Sequence, residues 1–137
     1  MYQVTVIKSR PDFRVFIDLL CSCNKNVGTE GNSTPVNSRF WTDLYICDRE
    51  SDDPEIQIYL PQYSDNVFEI KSESKDLEEL AALYLFLYCG NKICTDGKIL
   101  EAHVVKRLKA KYSLQLLRAE QSIWHHSSDS NPYPNLA

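Results

Sequence analysis

A chain of 137 residues, 43% hydrophobic and 25% charged, has the size and composition of one globular domain, which excludes a wholly disordered segment. No window approaches the ~18 consecutive apolar residues of a membrane span, and MYQVTVIKSRPDF alternates where a signal peptide would be continuously apolar, so a soluble, cytoplasmic protein without a membrane partner is expected. The net charge of −4 is unevenly spread: residues 1–97 carry nine basic and sixteen acidic side chains, residues 98–137 six and three.

The N-terminus reads as a strand, with Tyr2, Val4 and Val6 on one face and Gln3, Thr5 and Ile7 on the other. An amphipathic helix follows. Ser9 stands in the capping place, Pro11 where a missing N–H is harmless, and Asp12 completes an S-x-x-D pattern. Phe13, Phe16, Ile17 and Leu20 then recur at helical spacing, and the helix should end near residues 21–24. The next stretch, NKNVGTEGNSTPVN, has only two Val to bury and reads as a loop of about a dozen residues.

RFWTDLYIC reads as a second strand, RESDDPE as an acidic turn and EIQIYLP as a third strand, an antiparallel hairpin to which VFEIKS adds a short fourth strand. A second helix starts at Ser74 with acidic residues in its first turn and runs to Cys89, where Gly90 would supply a left-handed stop. Its second half is apolar on every side and must be covered on several faces. A third helix over about 98–111 buries Leu100, Val104, Leu108 and Tyr112, and a fourth spans about 113–124, separate or continuous with it. The fold expected is α+β: a small antiparallel sheet of three to four strands, an N-terminal β-α unit, and two to three C-terminal helices on one face. Residues 1–126 form the single domain, and residues 127–137 form a flexible tail with little to pack.

Chemistry is thinly signalled. No GxSxG, HExxH, Walker A or GxGxxG pattern is present, and no cofactor is expected. Cys21, Cys23, Cys89 and Cys94 give C-x-C and C-x4-C pairs that could close a thiolate zinc site, although the spacing departs from the usual C-x2-C knuckle. The five cysteines fit reduced thiols better than a disulfide framework. Cys94, just before the third helix, is a weak nucleophile candidate with His103 as its base.

Two binding surfaces are more substantial. The leading reading is a protein-binding domain of inhibitor, immunity or adaptor type. Its surface would combine Asp48, Glu50, Asp52 and Asp53 with Trp41, Tyr45, Tyr59 and Tyr63, facing a partner with a basic surface. The alternative is nucleic-acid or nucleotide binding by the basic third helix, through Lys106, Arg107, Lys109 and Lys111 with Arg118 beyond. A cysteine-dependent enzyme comes third.

Overall fold

The alternating apolar residues at the N-terminus form β1 (Tyr2–Val6), with Val4 and Val6 buried. In the computed structural model, which describes residues 1–20, 27–33, 35–48 and 55–134, this strand lies inside one sheet rather than at its edge. The other elements follow in chain order as α1 (Arg14–Leu20), β2 (Val27–Gly31), β3 (Asp43–Asp48), β4 (Ile56–Tyr59), β5 (Val67–Ser72), α2 (Lys75–Cys89), β6 (Gly90–Thr95), β7 (Lys98–Ile99), α3 (Ala102–Lys111) and α4 (Ser113–Glu120). A 3-10 turn at Ile123–His126 comes last. The described residues thus form an α+β fold with one antiparallel sheet and four α-helices.

Strand order is β2-β3-β4-β5-β1-β6-β7, seven strands where three or four were expected. The strands β3, β4, β5 and β1 were legible in the sequence, and the other three were not. The stretch read as a loop contains β2, whose pairing with β3 rests on backbone hydrogen bonds that need no apolar side chains. Gly31 closes it onto β3 with φ of 140°, and a Cβ there would lie 2.0 Å from the Asp43 carbonyl oxygen.

The end of α2 also departs from expectation. Gly90 is extended, with φ −104° and ψ 166°, so the helix passes directly into β6 without a left-handed stop. Glycine serves close packing here, because a Cβ would meet Val4 Cγ1 at 2.8 Å and the Thr5 carbonyl oxygen at 3.0 Å. Asp96 and Gly97, with φ of 51° and 77°, then make the tight turn from β6 to β7. The third helix consequently begins at Ala102 rather than Lys98, and it breaks at Tyr112 before α4.

Local signals explain the helix starts. Ser74 caps α2 by accepting from the Leu77 N–H at 3.3 Å. Asp12, not Ser9, serves α1, since its Oδ1 accepts from the Arg14 N–H at 3.0 Å. Cross-strand register places Leu44, Ile58, Ile70, Phe68, Val4 and Ile93 on one face of the sheet, where α2 packs. The run from Leu80 to Leu85 is buried throughout, as its all-round apolarity requires. The helices α1 and α3 pack on α2, and α4 packs on α1, so the helical layer lies on this side alone.

Residues beyond 126 carried no packing signal, yet the chain returns to the core. Ser127 Oγ donates to Asp12 Oδ2 at 2.6 Å, Arg14 Nη2 donates to the Pro132 carbonyl at 2.7 Å, and Asn37 Nδ2 donates to Asp129 Oδ1 at 3.0 Å. What holds them is a buried charge pair. Asp12 and Arg14 are bonded through two nitrogens, at 2.9 and 2.6 Å, and the Arg14 guanidinium lies 4.0 Å from the Trp124 ring centroid.

Candidate functional site

The sheet's second face carries no helix among the described residues. Period-two alternation sends to it every residue that the core face does not take, and register aligns Asp43, Tyr59, Glu69, Gln3, Cys94 and Ile99 in one row across six strands. A second row holds Tyr45, Gln57 and Lys71. At the centre, Glu69 is buried although it belongs to this open side. Its carboxylate accepts from Tyr63 Oη at 2.6 Å and from Tyr59 Oη at 3.2 Å.

That clasp has two consequences. The hydrogen bond to Glu69 raises the Tyr63 pKa, keeping the phenol a donor, while the ring stays 82% exposed. A tyrosine fixed at its hydroxyl but open along its ring loses little freedom when a partner covers it. The Lys71 ammonium lies 5.1 Å from the Tyr59 centroid, and Asp43 and Glu55 add exposed carboxylates.

Of the residues singled out for protein binding, the structure gathers Tyr45, Tyr59 and Tyr63 on this face. Trp41 does not join them. It is 1% exposed, donates from Nε1 to the Pro11 carbonyl at 2.8 Å, and packs edge-to-face on Phe16 and Phe68 with centroids 6.0 Å away. It is a core residue because it precedes β3 and turns inward over the end of the sheet, a position that strand alternation does not govern. Asp48 ends β3, and Glu50, Asp52 and Asp53 lie outside the described residues. Glu69 was not anticipated. The alternation of VFEIKS sets it opposite Phe68 and Ile70, but only the register with β4 shows that it meets Tyr59.

The basic set separates. Lys106, Arg107 and Lys109 are exposed on α3 and form no ion pair among the described residues. Lys111 is tied to Asp76 and Glu79, at 3.3 Å each, and Arg118 Nη2 donates to the Leu19 carbonyl at 3.1 Å. Glu79 also accepts from Tyr2 at 2.7 Å and Tyr112 at 2.8 Å. Burial alone would raise its pKa, but these two hydrogen bonds and Lys111 hold it below the usual carboxylate range. The same burial and bond push Tyr112 up to about 12.

The cysteine candidates fall apart. Cys89 is buried on the helical side with its Sγ against the Leu85 carbonyl, and burial pushes its thiol up to about 11. Cys94 sits on the open face, so the two stand on opposite sides of the sheet and cannot share an ion. Cys21 and Cys23 lie outside the described residues. Nor does Cys94 precede a helix, since the β6–β7 turn intervenes, and exposed His103 pairs with Glu101 at 3.2 Å.

Among the described residues, two larger concavities lie away from the open face. A groove of about 720 Å³ between α2 and α4 is lined by Tyr84, Leu87, Leu116, Leu117 and His125, and the Tyr84 hydroxyl is buried without a hydrogen-bond partner among the described residues. A cleft of about 580 Å³ lies at one end of the sheet, around Arg10 and Phe40. No described helix is long and apolar enough to cross a membrane. No protein-family model, curated protein or solved structure matches the chain.

Proposed function

We propose that this is a protein-binding domain of the inhibitor, immunity or adaptor kind, which takes a partner with a basic surface on the open face of its sheet. The observation that carries the reading is the Tyr59–Glu69–Tyr63 clasp: a buried carboxylate and two oriented aromatic rings at the centre of a face with no helix over it among the described residues. Anchors of this type, aromatic and already ordered, hold most of the energy of protein interfaces. The exposed carboxylates of Asp43, paired across from Tyr59, and Glu55, at the other end of β4, would speed encounter with a cationic patch. The open side is the wider target, since one row of it crosses six of the seven strands, while α3 keeps three cations without an ion pair among the described residues for a polyanion. Action in the cytoplasm fits Cys47, Cys89 and Cys94, which are unpaired thiols.

The test is to isolate the partner from native lysate and measure its association at several salt concentrations. Reversing Asp43 and Glu55 to Lys should slow association about 10-fold or more at low salt, with the difference shrinking as salt rises. Association that is unchanged by both reversals would remove the role assigned to the face's charge.

A further inference from the structure

Three connections meet at one end of the sheet: the segment from β1 to α1, the residues leading into β3, and the turn from β4 to β5. The cleft between them, about 580 Å³, falls in the ~300–1,000 Å³ range of small-ligand sites. Arg10 lies in it under unusual conditions. Its Nε donates to the Trp41 carbonyl at 3.0 Å, and its guanidinium carbon stands 5.4 Å from the Phe68 centroid and 6.0 Å from those of Phe40 and Trp41. The rings hold the cation in place but bring no formal charge.

No carboxylate forms an ion pair with Arg10 among the described residues. Arg14, four residues further on, shows the ordinary solution, a bidentate bond to Asp12. Burial lowers the Arg10 pKa, as expected of a cation taken from water without an opposite charge beside it. Four of the five guanidinium N–H donors are not used by the Nε bond. Beside it, Phe40 is 75% exposed, an unusual position for a large apolar ring. Lys8 and Asp65 also line the cleft, so its formal charges are two positive and one negative.

We propose that this cleft binds a small planar aromatic molecule bearing one carboxylate, the carboxylate on Arg10 and the ring against Phe40. The guanidinium fork matches a carboxylate in two parallel hydrogen bonds. Asp65 sets the charge limit, because one negative charge balances the lining and a second meets repulsion. The site is at the end of the sheet and does not depend on the open face.

Titration of the intact chain with 2-naphthoate, followed by calorimetry and backbone amide NMR shifts, tests it. One saturable site is expected, with shifts concentrated at residues 8–10 and 40. The uncharged isostere 2-naphthamide should bind about 10-fold more weakly or worse, and Arg10→Gln should cost about 10- to 100-fold. Phe40→Ala, at an exposed position, should cost about 3- to 10-fold. Asp65→Asn should improve binding of 2-naphthyl phosphate, which carries the second charge. Should Arg10→Gln fail to fold through loss of its bond to Trp41, the other variants and the amide still decide. No saturable binding, equal affinity for acid and amide, or unchanged affinity in Phe40→Ala would overturn the assignment.

Discussion

The two faces of the sheet are built from the same seven strands and do opposite things with polar groups. On the helical side the row Leu44, Ile58, Ile70, Phe68, Val4 and Ile93 is apolar and buried, and a charge pair admitted nearby, Asp12 with Arg14, is bonded to saturation on the carboxylate. On the open side a carboxylate is just as buried, but its partners are two tyrosine hydroxyls whose rings face outward. Burial on the first face is completed by the protein itself. On the second, under the proposed function, a partner completes it, and substitutions should therefore separate cleanly into those that cost stability and those that cost binding.

The largest effect should come from the closed side. Arg14→Leu leaves Asp12 buried beside an apolar side chain and detaches Pro132, and a loss of about 3–5 kcal/mol is expected in denaturant unfolding. A loss below about 1 kcal/mol would mean that the pair is not part of what holds the C-terminal segment down.

Acid should act in the same place. Burial opposes the charge on Asp12, but the bonds from Arg14 and Ser127 outweigh it and hold the pKa low, as those from Tyr2 and Tyr112 do for Glu79. Carboxylates with a lowered folded pKa contribute stability above their unfolded value, and that stability fades as pH falls below about 4 toward the folded value. Thermal unfolding should show it, with Asp12→Asn flattening the decline. A midpoint flat between pH 5 and pH 2 would contradict the account.

A smaller effect of opposite sign is expected at Tyr84. Its hydroxyl is buried without a partner, so Tyr84→Phe should stabilise the protein by about 1 kcal/mol in chemical unfolding. Destabilisation would show that the hydroxyl has a role at the groove it borders.

The sequence made some of this contrast readable and left the rest hidden, for identifiable reasons. Residues that alternate or recur strongly gave β1, β3, β4, β5 and α2, because side-chain burial specifies those elements. It missed β2 because backbone pairing across Gly28 and Gly31 specifies that strand, and it missed β6 and β7 because Gly90 looked like a helix stop. The Asp96–Gly97 pair was the available hairpin signal, but it stands directly before the stretch whose spacing suggests a helix over about 98–111. Among candidate site residues, Tyr45, Tyr59 and Tyr63 share a face as their placement around one hairpin suggested, while Trp41 went to the core. Glu69 and Arg10 needed tertiary knowledge. Nothing local marks a glutamate as clasped or an arginine as lacking a carboxylate.

The smallest expected effect on stability belongs to the pair that should matter most for binding. Tyr63 is largely exposed, so its loss lets water take over the bond to the Glu69 carboxylate, and Tyr63→Ala should cost no more than about 1 kcal/mol in unfolding, while with Tyr59→Ala it removes the anchors at the centre of the open face. The most direct test is to immobilise three chains, the native one, the Tyr59→Ala and Tyr63→Ala double variant, and a Lys106→Glu and Arg107→Glu double variant. Each is then measured for stoichiometric retention of the same protein from native lysate. The account predicts retention by the native chain and the helix variant and loss by the tyrosine variant. Retention by the tyrosine variant, or loss with the helix variant instead, would contradict it.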